Sequence, residues 1–109
     1  MSLITTRRLA TDIIRKELAF REISIGKIIL FGSRARGDAQ LDSDWDFLVS
    51  INKELTFSKK AEIIANIQSK LAEKHISADV ILKSKEKFNK ESTNVGLISY
   101  YARKDGITV

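Results

Sequence analysis

Hydrophobic and polar positions follow two different periods along the chain, and these periods predict both helices and strands. Between residues 3 and 22, apolar side chains recur every three to four positions, as in an amphipathic helix with one face in a core. This stripe consists of Leu9, Ile13, Ile14 and Leu18. A second stripe of the same kind predicts a long helix that Thr56 or Ser58 caps and that ends at about Lys74.

Short apolar runs between and after these helices predict strands at residues 27–31, 45–51 and 76–82. Beyond them, Ser84 can start a short helix, residues 95–104 predict another, and the last three residues add a short strand or end loosely. The order of elements predicts an α/β (α+β) fold. We expect a small mixed β-sheet of three to four strands, with helices on one face and the other face open.

The composition is that of one globular domain spanning residues 1–109, with 43% hydrophobic and 30% charged residues. The chain has no cysteine, which excludes a disulfide framework and a thiolate metal site. No apolar run approaches the length of a membrane span, and the first residues lack the apolar segment of a signal peptide. We therefore expect a cytoplasmic protein with no membrane partner.

The net charge of +5 raises the question of a nucleic-acid partner. The basic residues, however, are spread along the helices and mixed with acids, as on an ordinary solvated surface. We therefore do not expect direct nucleic-acid binding. A positive surface also attracts an acidic protein or a nucleotide.

The predicted first strand stops at Gly32-Ser33, and a basic turn then leads to Asp44-Trp45-Asp46 at the start of the second strand. If residues 45–51 form a strand, Asp44 and Asp46 point to one face with Cα atoms about 6.5 Å apart. Two carboxylates so placed can hold hard divalent cations. The alternative is that Gly32-Ser33 only ends a strand and that the two aspartates belong to a solvated turn.

A third acidic residue, Asp79, lies in the middle of the predicted third strand, between Ala78 and Val80. A charge there is unusual, because strand centres are usually buried. Asp79 therefore either faces a site or lies on an edge strand facing water. His75, the only histidine, is expected to end a helix rather than to act in catalysis.

Gly-Ser, ten residues and then Asp-x-Asp resembles the signature of the DNA polymerase β-type nucleotidyltransferase superfamily. The short chain and its Gly-Ser-Arg-Ala-Arg-Gly run resemble the minimal nucleotidyltransferases, a branch that acts as antitoxin beside HEPN-domain toxins. The resemblance implies a polymerase β-like core and a site assembled from seven residues. Asp44, Asp46 and Asp79 would be catalytic and metal-binding, and Gly32, Ser33, Arg34 and Arg36 would bind the nucleotide phosphates.

The resemblance further implies Mg²⁺ or Mn²⁺ as cofactor and ATP as substrate. The expected reaction is transfer of AMP to a hydroxyl, a tyrosine of a cognate HEPN toxin, which would make this protein an antitoxin. Two alternatives remain open at this stage. One is a catalytically weak antitoxin that neutralises its HEPN partner by binding. The other is a small-molecule nucleotidyltransferase of the antibiotic-modifying type, a class that carries an additional acceptor-binding domain.

Overall fold

A computed structural model describes residues 2–109 of the chain, which form five helices and four strands. The helices are α1 (Leu3–Phe20), α2 (Ser33–Arg36), α3 (Phe57–Glu73), α4 (Lys85–Glu91) and α5 (Ile98–Asp105). The strands are β1 (Ile25–Phe31), β2 (Trp45–Ile51), β3 (Ala78–Ser84) and β4 (Ile107–Thr108).

The four strands form one mixed sheet in the order β3-β2-β1-β4. Strand β1 pairs antiparallel with both β2 and β4, while β2 pairs parallel with β3. The parallel pair is possible because α3 carries the chain back across the sheet between β2 and β3. The predicted fold class, a small mixed α/β sheet of three to four strands, is confirmed.

The main core lies between one face of the sheet and the two long helices. The apolar stripes of α1 and α3 bury Ile14, Leu18, Ile63 and Ile67 against side chains of β1, β2 and β3. Thr56 caps α3, because its hydroxyl accepts the N–H of Lys59 at 3.1 Å. The residues that α1 and α3 bury here belong to the two apolar stripes predicted from the sequence.

An ion network joins the two long helices at the edge of this core. Glu17 of α1 is buried and pairs with Arg21 at 2.7 Å and with Lys70 of α3 at 2.6 Å. These partners lower the pKa of Glu17 below its usual range, Lys70 having the largest effect, although burial opposes the shift. The network therefore links α1 to α3 in addition to their apolar contact.

The expectation that helices pack on one face only is too simple. On the second face, α4 and α5 cover a smaller cluster in which Phe88 and Ala102 pack on Ile29, Phe31 and Leu48. The sequence did not show on which face these two helices pack. Each is short and buries only one or two residues, too few for a clear apolar period. At the far end of this face, Asp46 is only half-buried and Asp79 is exposed.

Several boundaries differ from the sequence prediction; for example, α1 ends at Phe20 rather than at residue 22, and β1 begins at Ile25 rather than at residue 27. Strand β3 begins at Ala78 rather than at residue 76, since Ile76 donates its N–H to Leu71 and so closes α3. His75 adopts φ 60° at this helix end, which agrees with its expected helix-ending position. Helix α5 begins at Ile98, three residues later than predicted. Within residues 2–109, no helix is both long and apolar enough to cross a membrane.

Candidate active site

The turn after β1 brings backbone close to a carboxylate of the neighbouring strand. Gly32 has φ 73°, and a Cβ at this position would collide with Oδ2 of Asp46. Only glycine combines this conformation with so close an approach. The single turn of α2 starts at the next residue and ends at Gly37, which is also left-handed with φ 87°.

The start of α2 presents hydrogen-bond donors that no acceptor within residues 2–109 uses. The first N–H groups of a helix have no partner in its own ladder. Here the N–H groups of Ser33 and Arg34 donate to no other backbone carbonyl, whereas those of Ala35 and Arg36 donate to Gly32 at 3.1 Å. The Ser33 side chain is half-buried beside them. Together these groups can bind an anionic oxygen.

The carboxylates converge on the central strand. Asp46 of β2 lies between Phe31 of β1 and Asp79 of β3, its register partners on either side. Burial raises the pKa of Asp46 above its usual range, and the charges of Asp79 and Asp44 raise it further. The three predicted carboxylates are therefore close enough for their charges to act on one another.

Asp44 lies just before β2 and is held by the residue that precedes β3. The Ser77 hydroxyl donates to Oδ1 of Asp44 at 2.6 Å, and the Ser77 carbonyl accepts the Trp45 N–H at 2.9 Å. Ser77 thus fixes both the backbone and the side chain at the entrance to β2. Sequence reasoning missed Ser77, because only the parallel register of β2 and β3 brings it next to Asp44.

The two predicted phosphate-binding arginines point in different directions. The guanidinium of Arg34 donates to the carbonyls of Ser43 at 2.9 Å and Leu41 at 3.3 Å and lies 4.8 Å from the Trp45 ring centroid. Trp45 belongs to the main core, on the face of the sheet away from Asp46. Arg34 therefore holds the loop that leads to the aspartates.

Arg36, in contrast, lies close enough to the carboxylates for its charge to act on Asp46. Its charge lowers the pKa of Asp46 and so opposes the effects of burial and of the neighbouring acids. Its Nε lies 3.4 Å from Oδ2 of Asp38 in an exposed ion pair. An exposed pair of this kind is weak, so a phosphate group can replace Asp38 as the partner of Arg36.

The described residues contain no ready-made cage of three or more protein ligands for a metal ion. Mg²⁺ does not need one, because it is usually bound by one or two carboxylates together with water and substrate phosphates. The local charge fits such an ion: burial and two neighbouring acids raise the pKa of Asp46, and the charge of Arg36 offsets this only in part. Asp44, Asp46 and Asp79 supply the oxygen ligands that Mg²⁺ and Mn²⁺ prefer.

A family model described as a nucleotidyltransferase domain matches residues 11–102, more than four fifths of the chain. The chain belongs to the nucleotidyltransferase domain family. The matched range includes both ends of the candidate site, from Gly32 to Asp79. The family expected from the Gly-Ser and Asp-x-Asp motif is therefore confirmed.

Two solved structures are similar in fold to this nucleotidyltransferase domain. A toxin–antitoxin crystal structure with AMP-PNP matches with a TM-score of 0.55 and 21% identity, over 89% of this chain and 69% of that chain. A candidate minimal nucleotidyltransferase matches with a TM-score of 0.61 and 24% identity, over 100% of this chain and 97% of the other. At these identities the similarity shows the polymerase β-like fold. No curated protein sequence gives a significant match.

Proposed function

We propose that this nucleotidyltransferase domain transfers AMP from ATP to a hydroxyl group of a protein partner. The observation that carries the proposal is the contact between the Gly32-Ser33 turn and the Asp46 carboxylate. The N–H groups of Ser33 and Arg34, which would bind phosphate, follow Gly32 directly and so lie near the carboxylates that would bind a metal ion. A nucleoside triphosphate is the ligand that uses both.

The phosphate end of the nucleotide would lie at the start of α2. The N–H groups of Ser33 and Arg34 and the Ser33 hydroxyl would donate to phosphate oxygens. The Arg36 guanidinium would leave Asp38 and neutralise part of the phosphate charge. The Arg34 side chain would act indirectly, by holding the loop before Asp44.

The carboxylates would hold Mg²⁺, or Mn²⁺, through Asp44, Asp46 and Asp79. When bound, the ion neutralises phosphate charge and stabilises the oxygens that enter and leave at phosphorus. The protein must keep Asp44 in place for this role, and the Ser77 hydroxyl supplies the restraint. Asp46 anchors the centre, since it lies between the phosphate turn and Asp79.

The acceptor hydroxyl would attack the α-phosphorus in line with the leaving group. Asp79, which is exposed, would take the hydroxyl proton. A new bond forms between the acceptor oxygen and the α-phosphorus, the bond to the bridging oxygen breaks, and pyrophosphate leaves. Ser33 and Arg36 would stabilise the charge that develops on the phosphates.

The acceptor we propose is a tyrosine of a HEPN-domain toxin in the cytoplasm, which would make this protein an antitoxin. The toxin–antitoxin structure of similar fold, which contains AMP-PNP, supports this assignment. The surface also suits a protein partner. Exposed apolar side chains lie along α5 and its flanks, at Val95, Leu97, Ile98, Tyr101 and Ile107.

The same apolar surface supports the second candidate, neutralisation of the toxin by binding. Both candidates predict a complex, but only the first predicts a covalent product. Co-expression with the toxin, followed by size-exclusion chromatography and intact-mass measurement, separates them. We expect the toxin mass to increase by AMP, and to stay unmodified with Asp44→Asn. A complex without added mass would support neutralisation by binding, and efficient transfer to a small molecule without complex formation would contradict both.

Nucleotide binding can be tested without the partner. Mg²⁺ or Mn²⁺ together with ATP should raise the melting temperature more than either does separately, because ligands that bind the native state stabilise it. Asp44→Asn should remove this synergy, and Ser33→Ala should weaken ATP binding. Asp79→Asn should retain ATP binding but lose transfer. Unchanged synergy in Asp44→Asn would mean that the metal ion binds elsewhere.

A further inference from the structure

A second groove lies on the same face of the sheet as Asp46 but at its opposite end. It consists of two adjoining cavities of about 360 Å³ and about 420 Å³, which share Ser92 and Arg103 in their walls. The first lies between β1, β4, α4 and α5, and the second runs along α5. Their sizes fall within the range of small-ligand sites.

The groove is lined by cations, by neutral polar groups and by the apolar side chains of Ile29, Phe88 and Ala102. Lys27, Arg103 and Lys104 contribute positive charge, and neither cavity has an aspartate or glutamate among its lining residues. This is notable because the chain carries 14 acids, which elsewhere mix with the bases. Glu91, an acid of the adjacent helix α4, pairs with Lys83 at 2.9 Å. The groove therefore offers concentrated positive charge to an anion.

The guanidinium of Arg103 is held in the wall by a buried residue. Nη1 of Arg103 donates to Oγ of Ser92 at 3.1 Å, and this hydroxyl donates to the Asn89 carbonyl at 3.0 Å. Ser92 is only 4% exposed, so the chain of bonds is fixed by the fold. Arg103 forms no ion pair within residues 2–109, which leaves its other N–H donors available. An oriented guanidinium of this kind suits the oxygens of a phosphate group.

The groove also contains an aromatic ring. Tyr100 lines the second cavity and is held edge-on to Tyr101, with the ring centroids 5.3 Å apart. A tyrosine ring next to cations provides a surface on which a nucleotide base can stack. Tyr100 lines the second cavity and Lys27 the first, and Arg103 lines both.

This groove is separate from the candidate active site. Along β1, Lys27 lies four residues from Phe31, the register partner of Asp46, which corresponds to about 13 Å. Ile29 and Phe88 of the apolar cluster form part of the wall of the first cavity, and Phe31 of the same cluster lies beside Asp46. None of the seven predicted site residues lines either cavity. A ligand in the groove would therefore need neither the aspartates nor their metal ion.

We propose that this groove is a second, metal-independent binding site for a nucleotide-sized ligand that carries a phosphate group. The phosphate binds between Lys27 and Arg103, and the base lies along Tyr100. A long nucleic acid is less well suited, because the positive charge is confined to two small cavities on a surface where the signs are otherwise mixed.

The test uses the full chain carrying Asp46→Asn, with EDTA present, so that metal-dependent binding at the active site is removed. Isothermal titration with AMP, pyrophosphate and adenosine measures what the groove recognises. We expect AMP to bind and Arg103→Gln or Lys27→Gln to weaken it at least tenfold. Lys16→Gln, which makes the same charge change on α1, serves as the control.

Each outcome either supports the proposal or overturns it. Binding of pyrophosphate as well as AMP supports recognition of the phosphate. Equal binding of adenosine, or unchanged AMP affinity in both groove variants, overturns it. Single-stranded RNA binding without AMP binding overturns it in favour of a nucleic-acid groove. If Arg103→Gln fails to fold by circular dichroism, Lys27→Gln decides the matter. No measurement involves transfer, so failure here is distinct from failure of the proposed enzymatic function.

Discussion

Replacing Asp46 by asparagine should stabilise the ligand-free protein, although the proposed reaction depends on this carboxylate. Asp46 lies directly across the parallel pair β2–β3 from Asp79. Its raised pKa results from burial and from the charges of Asp79 and Asp44, and no hydrogen bond is among its causes. Asparagine has almost the same shape and removes the negative charge. The variant should therefore have a higher free energy of unfolding than the native protein.

The size of the effect follows from the contact. Like charges opposite each other in a sheet change stability by roughly 0.2–1 kcal/mol. Asp79 is exposed, so water screens the pair, and we expect a gain of about 0.5 kcal/mol. For a domain of this size, that corresponds to a rise in melting temperature of about 2–4 °C.

The gain should depend on pH in a defined direction. Because folding raises the pKa of Asp46 above its ordinary value of 3.8, the native state holds its proton more tightly than the unfolded state. The cost of the charge is therefore complete at neutral pH, shrinks as pH falls through the raised pKa and disappears below 3.8. The advantage of Asp46→Asn should be present at pH 7 and absent at about pH 3.

Urea unfolding, followed by the fluorescence of buried Trp45, measures this difference. Asp12→Asn is the control, since Asp12 is exposed on α1, and it should bring no gain. Adding Mg²⁺ with ATP should reverse the order, stabilising the native protein but not Asp46→Asn. A loss of more than about 1 kcal/mol in Asp46→Asn at pH 7 would refute the reasoning, because the carboxylate would then be needed for folding.

Three further predictions concern positions around the site and the core. Gly32→Ala should lower the free energy of unfolding by about 1–3 kcal/mol in urea titrations, because φ 73° and the nearby carboxylate both oppose a Cβ; a neutral result would mean that the turn can relax. Glu17→Gln should lower the free energy of unfolding by about 1–2 kcal/mol at neutral pH, because it weakens the bonds to Lys70 and Arg21. Because folding lowers the pKa of Glu17, this difference in stability should shrink as the pH falls below 4.5, the ordinary pKa of the group. A difference that persists at low pH would mean that packing, and not charge, is its cause. Ser77→Ala should lower the transfer rate at least tenfold and raise the Mg²⁺ concentration required, with recovery in Ser77→Thr, because Asp44 loses its only side-chain donor among residues 2–109; equal rates in both variants would remove Ser77 from the site.

Periodicity was sufficient to predict the two long helices and the strands of the sheet, because their apolar faces are wide and continuous. It also predicted helices in the region of α4 and α5, but not that they pack on the second face of the sheet, because each buries only one or two residues. The start of β3 was also predicted too early, because Ile76 is apolar but donates its N–H to the Leu71 carbonyl at the end of α3. Hydrophobic pattern alone does not distinguish a strand residue from one that seals a helix end.

The candidate site was predictable where its residues follow one another in a motif. Gly32, Ser33, Asp44 and Asp46 needed only their order in the sequence and the resemblance that it carries. The opposite directions of Arg34 and Arg36 followed from their spacing, but their partners did not. Contacts between distant segments, such as Ser77 with Asp44, depend on strand register, which could not be deduced from this one sequence.

Because of the parallel crossover between β2 and β3, the parts of the site should come together at different times during folding. Strands β1 and β2 are joined by residues 32–44, a connection half as long as the one between β2 and β3, so we expect their pairing to bring Gly32 to Asp46 first. Asp79 reaches Asp46 only after residues 52–77 have crossed the sheet, a longer loop closure that is slower to complete. A chain emerging from synthesis should therefore acquire the phosphate-binding turn before its third carboxylate. On this order of events, a partly folded chain could hold a nucleotide but could not yet transfer it.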